Sequence, residues 1–174
     1  MIDWFDTAPR RVLALVSAIG VGMLGFCLYL QHVGRLEPCP MCIVQRYALV
    51  AVVLVAGIAA LSEKRGVLIG GSVLMLAAAG FGAFVAARQS WLQWYPPEVA
   101  SCGRDFYGMI ETFPLSRAVP MIFKGGGDCS KVDWTFLGGS LANWSFVAFS
   151  FFGVVALMLL VPLARRRSLR PSHA

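Results

Sequence analysis

Residues 38–61 read PCPMCIVQRYALVAVVLVAGIAAL. The first half is chemistry: two cysteines spaced C-x-x-C, with Arg46 four residues beyond the second. The second half is solvent preference: from Ile43 to Leu61 the chain holds only two strongly polar residues, Gln45 and Arg46. A run of this length matches the ~20 residues a helix needs to cross ~30 Å of hydrocarbon. The stretch therefore places a thiol pair at the mouth of a membrane helix.

The rest of the chain repeats the apolar theme. Of 174 residues, 58% are hydrophobic and 14% charged, against about 25% charged in a soluble domain. Four spans are expected to cross a membrane as helices, at about 12–31, 43–61, 67–87 and 144–163. A helix satisfies its own backbone hydrogen bonds where lipid offers no partners. The expected fold is an all-α membrane protein, a four-transmembrane-helix bundle forming one membrane domain over 1–174. The first span is too long for a signal-peptide core and has no small-x-small cleavage site after it, so it reads as retained.

The net charge of +6 does not point to nucleic acid. Arg10 and Arg11, Lys64 and Arg65, and Arg165, Arg166, Arg167 and Arg170 make three clusters beside apolar spans. Such clusters set topology by the positive-inside rule, and a nucleic-acid footprint would need a soluble basic face. They place both termini and the 62–66 turn in the cytoplasm. Loops at about 32–42 and 89–143 then face the opposite side. The long loop has no basic excess, and Trp91, Trp94, Tyr95, Trp134 and Trp144 sit at its two ends, as interfacial aromatics do. Within it, residues 113–124 are apolar but broken by Pro114 and Pro120, which suits a short segment lying on the membrane. Gly and Ala in the third span, and Gly20, Gly22 and Gly25 in the first, read as close-packing positions between helices.

Of the five cysteines, Cys27 lies within the first span and reads as a small packed hydrophobe. Cys39, Cys42, Cys102 and Cys129 all fall on the non-cytoplasmic side, which in a bacterial cell is an oxidising compartment where disulfides persist. Pro40 suits the first turn of a helix, which would put Cys39 at the cap and Cys42 in the first turn. A helix N-terminus favours the thiolate, and Arg46 shares the Cys42 face. A bridge between Cys102 and Cys129 would restrain the loop by about 3–4 kcal/mol in the chain-entropy account, a plain structural staple. The glycines at 125–127 argue instead for backbone freedom, which thiol–disulfide exchange uses. A c-type haem site would need His at position 43, where Ile stands. A four-cysteine zinc site would more often show a second C-x-x-C. A non-catalytic membrane protein with structural disulfides or a four-cysteine metal site is the alternative to a redox enzyme.

The order of four spans, QHVGRLEPCPMCIVQRYAL (31–49), WLQWYP (91–96), Cys102, GDC ending at Cys129 and WTFLG (134–138) resembles the DsbB family of bacterial disulfide bond formation proteins. The resemblance covers nearly the whole chain. It implies a quinone-dependent thiol:disulfide oxidoreductase of the bacterial inner membrane that reoxidises a DsbA-like periplasmic oxidant. Cys39, Cys42, Cys102 and Cys129 would be catalytic. Arg46, Cys42 and Gln89 would contact the quinone, ubiquinone or menaquinone, with no metal. Cys102 would form the mixed disulfide with the partner, Cys129 would exchange with Cys39, and Cys42 would face the acceptor drawn from the quinone pool. Some relatives carry His where this chain has Gln89, which can hydrogen-bond a quinone but cannot shuttle a proton; His32 is a weak substitute.

Overall fold

The computed structural model describes residues 9–35, 38–96, 120, 127–130, 132 and 134–168. Cys102 and residues 113–124, apart from Pro120, lie outside them. Helix α1 spans Pro9–His32, α2 Pro40–Leu61 and α3 Arg65–Trp94; a single turn, α4, spans Gly127–Ser130. Strands β1 (Thr135–Phe136) and β2 (Gly139–Ser140) form an antiparallel hairpin that leads into α5, Leu141–Ser168. Among the described residues, four helices (α1, α2, α3 and α5 to Leu163) are long and apolar enough to cross a membrane. The described residues form an all-α bundle with one small hairpin.

The helix boundaries follow local chemistry. Cys39 is the N-cap of α2: its backbone is extended, and its sulfur accepts a hydrogen bond from the Cys42 N–H at 3.4 Å. Pro40 occupies the first turn, where a missing N–H costs nothing. The turn from α2 to α3 is closed by the Ser62 N–H on the Ala59 carbonyl (3.2 Å) and the Lys64 N–H on Ser62 Oγ (3.2 Å). Arg10 reaches this turn from α1, donating to Ala60 O at 3.0 Å and to Glu63 Oε1 at 2.7 Å. The ion pair is exposed, so its worth is small.

Helix α3 continues seven residues past the expected end of its span at Ala87. Residues 88–94 contain no Gly or Pro, and the helix stops only at Tyr95, before Pro96 and Pro97, because a residue preceding proline is pushed out of the α region. Its 30 residues reach about 45 Å. The far end of α3 therefore becomes a rigid post carrying Gln89, Ser90 and Gln93 rather than the start of a loop.

The hairpin turns on Leu137 (φ 51°) and Gly138 (φ 79°). Two positive φ values in succession give the type I′ geometry that matches strand twist. Ser140 Oγ then accepts from the Asn143 N–H (3.4 Å) and donates to Gln93 Oε1 (2.6 Å), tying the start of α5 to the end of α3.

One core joins the four long helices. It includes Leu13 and Val16 of α1, Leu49 and Val52 of α2, Met75 of α3, and Phe152 and Leu159 of α5. The outer faces are equally apolar: Leu15, Ile19, Leu54, Ile58, Leu74, Phe84, Phe151 and Leu157 are exposed. Helices apolar on every side suit a lipid surround, and exposed apolar faces of this extent would be a liability in water. Small residues set the helix spacing only at some of the expected positions. A Cβ at Gly71 would lie 2.5 Å from Ala59 Cβ, at Gly82 it would enter the Phe149 ring, and at Gly20 it would strike Val53; Gly22, Gly25, Gly70 and Gly80 face open space. The sequence marked these glycines alike because it carries no signal for which side of an all-apolar helix meets a neighbour. Replacing Gly82 with Leu should separate α3 from α5 and lower stability by about 1–3 kcal/mol, whereas Gly80→Leu should change it little. Thermal unfolding in detergent reads both.

Candidate active site

The first turns of α2, the last two turns of α3 and the one-turn α4 meet at one end of the bundle. Cys39, Cys42, Cys129 and Gln89 come together there. The Cys39 and Cys42 sulfurs are 2.9 Å apart, because an N-cap residue and the third residue of the helix share a face. A small shift would bring them to the ~2.05 Å of a disulfide. Cys129, expected on a loosely held stretch, is instead buried in α4, since that turn packs on α3 and against the Cys39 region. Its sulfur and that of Cys42 both lie in hydrogen-bond contact with Cys39. The contact with Cys129, the one with Cys42, and burial hold the Cys39 thiol well above the ordinary cysteine range.

Gln89 is almost fully buried. Its Nε2 lies 3.2 Å from Cys42 Sγ and 3.4 Å from Cys39 Sγ, so one amide donor serves both sulfurs. Its Oε1 accepts from Gln45 Nε2 at 2.6 Å. Arg46, one turn below Cys42, does not bond the sulfurs. Its Nη1 donates to Gln31 Oε1 at 2.7 Å, fixing the guanidinium against α1.

Below the sulfurs, a cavity of about 120 Å³ opens between the four long helices. Its walls are largely apolar, with Met23, Leu30, Leu49, Phe149 and Phe152 among them. Cys42, Arg46, Gln31, Gln45 and Gln89 supply polar atoms on it, and Cys27 is part of its lining. His32 is exposed at the end of α1 and is not part of this lining. Cys102 lies outside the described residues, so the structure does not place it.

Gln31 and Gln45 were not singled out from the sequence. A signal was present: Gln45 is an amide three residues beyond Cys42 inside an apolar helix, and such polar residues are costly unless used or paired. Gln31 was hidden at the edge of its span, where polar residues are ordinary.

Four membrane-spanning helices that bury a contacting thiol pair against a third cysteine define a multi-pass membrane protein of thiol–disulfide chemistry. The family model for "Disulfide bond formation protein DsbB" matches residues 9–159, and the chain belongs to that family. It is similar to disulfide bond formation protein B of Albidiferax ferrireducens, with 67% identity over 169 residues, covering 97% of this chain and 95% of the relative. The same-named protein of Polaromonas naphthalenivorans is 71% identical over 160 residues, covering 92% and 96%. That of Aromatoleum aromaticum is 52% identical over 166 residues, covering 94% and 97%. Membership gives the chain a disulfide oxidoreductase role in disulfide bond formation.

Proposed function

We propose that the protein reoxidises a DsbA-like periplasmic thiol oxidant and passes the electrons through two cysteine pairs to a membrane quinone. It would sit in the bacterial inner membrane with both termini in the cytoplasm, as the basic residues at 10–11 and 64–65 favour. The observation that carries the reading is the division of labour at the C-x-x-C pair. Cys39 meets Cys129 on one side, while Cys42 stands toward Arg46, one turn below it, in an apolar-walled cavity that both cysteines line.

The steps balance as exchange. A thiolate of the reduced partner attacks Cys102, the Cys102–Cys129 bond breaks, and Cys129 leaves as a thiolate. The partner's second thiol resolves the mixed disulfide, releasing Cys102 and an oxidised partner. Cys129 attacks Cys39 of a Cys39–Cys42 disulfide, and Cys42 leaves with the electron pair of the broken bond. Cys102 then attacks Cys129, restoring their bridge and freeing Cys39. Such exchange depends on thiolate character and on access to the attacked sulfur. The Cys39–Cys129 contact supplies the access, and the Gln89 donor faces the charge released on Cys42.

The cavity fits a flat ring bearing carbonyl acceptors: apolar walls to exclude water, and hydrogen-bond donors from Arg46, Gln31, Gln45 and Gln89 at its polar side. Arg46, Cys42 and Gln89 would hold such a group. When bound, a quinone would accept the two electrons and two protons released as the Cys39–Cys42 disulfide closes. The chain's residues orient the sulfur and keep the site dry.

Thiol trapping with a mass tag, in the presence of a reduced DsbA-type protein, tests the scheme. With a ubiquinone analogue present, the cysteine pairs should return to disulfides; with the analogue withheld, both pairs should accumulate as thiols. Pairs that remain oxidised without quinone would show inert, structural bridges and end the proposal.

A further inference from the structure

Two buried amides face each other beside the sulfurs, and only one of them touches sulfur. Gln45 is 6% exposed and Gln89 4%. A carboxamide has a donor end and an acceptor end of nearly equal shape, and a half-turn of its terminal bond exchanges them. Turned one way, Gln89 presents an N–H₂ to Cys42 and Cys39. Turned the other way, it presents a carbonyl oxygen, which repels negative charge on sulfur. The apolar neighbours Val85 and Leu92 do not discriminate between the two ends.

The hydrogen bond with Gln45 ties the two amides to one another. Gln45 Nε2 donates to Gln89 Oε1 at 2.6 Å, which keeps the carbonyl oxygen on the Gln45 side, 3.7 Å from Cys42 Sγ, and leaves Nε2 nearer the sulfurs, at 3.2 and 3.4 Å. We infer that Gln45 is a positioning residue: through its hydrogen bond to Gln89 it fixes the amide orientation that favours the reduced, thiolate-bearing form of the Cys39–Cys42 pair. The inference rests on the proposed role of Cys42 as the sulfur that leaves with the electron pair. A donor that stabilises the reduced pair and does little for the disulfide makes the couple a stronger oxidant, in the way a stabilised reduced form raises the potential of any dithiol. The electrons are thereby drawn from the loop pair toward the membrane pair. It also shows what Gln89 contributes without titrating: a directed dipole rather than a proton.

The test uses the full chain with Cys102 and Cys129 replaced by Ser, so that one couple is read. The protein is equilibrated against glutathione buffers with no quinone and no partner, and the thiol fraction is trapped. A hydrogen bond to a charged sulfur is expected to be worth about tenfold in this equilibrium. Gln45→Met keeps the volume and removes the donor; it should shift the couple about tenfold toward disulfide, Gln89→Met should do the same, and the double variant should go no further. Gln45→Leu also removes the donor, with a different shape, and should shift the couple by a similar amount. A merely structural glutamine would be replaced by Met without effect. The inference is overturned if Gln45→Met, or Gln45→Leu where the Met variant does not fold, keeps the unsubstituted value, or if the Met effects at the two positions add in full. Quinone turnover is measured separately, so its absence would refute the proposed function while leaving this equilibrium to stand or fall alone.

Discussion

Cys42→Ser is expected to stop turnover, with quinone reduction falling on the order of 10³-fold or more, as loss of a reacting nucleophile commonly does. The variant should also arrest in a particular state. Without Cys42, the C-x-x-C pair cannot close on itself, and Cys39 already lies in hydrogen-bond contact with Cys129. The Cys39 thiolate can then attack Cys129 of the Cys102–Cys129 disulfide, with Cys102 leaving as a thiolate, so a Cys39–Cys129 bridge in exchange with the loop disulfide should be trapped by acid quenching. Peptide mapping without reduction would find the crosslink between the segments holding residues 39 and 129. Stopped-flow absorbance of a quinone analogue reads the rate. Wild-type turnover in this variant would remove Cys42 from the relay. A dead enzyme with no 39–129 crosslink would instead break the proposed order of exchange.

Arg46→Met should act on binding rather than on exchange. Arg46 lines the cavity beside Cys42 and is held by Gln31 at 2.7 Å. A guanidinium has five N–H donors, so the one engaged by Gln31 leaves others for an acceptor carbonyl. A hydrogen bond from a charged group contributes about 1.5–3 kcal/mol, or roughly 10–100-fold in KM for the quinone analogue, with a smaller change in kcat. Arg46→Lys should recover only part, because it keeps the charge and loses the planar fork. The exchange between Cys129 and Cys39 should be unaffected, which thiol trapping in a single turnover would show. An unchanged KM in Arg46→Met would place the guanidinium outside the acceptor site.

Much of the candidate site was legible because it is written locally. Cys39, Pro40, Cys42 and Arg46 lie within eight residues of one another, so helix-start chemistry and a 3.6-residue period were enough to cap α2 with Cys39 and to aim Cys42 and Arg46 to one side. The end of α3 was misjudged because hydropathy falls at Arg88 and Gln89 while helix propensity does not. The helix obeys the backbone, and the backbone is interrupted only at Pro96. The burial of Cys129 against the Cys39 region was not legible for a related reason: the docking of a single helical turn on α3 leaves no periodic signal in the chain.

The amino-acid order alone determined the four apolar spans and the C-x-x-C pair at a helix start. These depend on composition and on spacing along one segment. Tertiary structure alone decided that Gln89 turns its donor to two sulfurs 47 and 50 residues away, that Gln45 holds it there, that Gln31 anchors Arg46, and that Cys129 rests on Cys39. Each of these contacts depends on how a helix is rotated about its own axis. A helix apolar on every side has no hydrophobic stripe to announce that rotation. It is set by packing, at places such as Gly71 against Ala59 and Gly82 against the Phe149 ring, where the absence of a side chain lets the neighbouring helix come close.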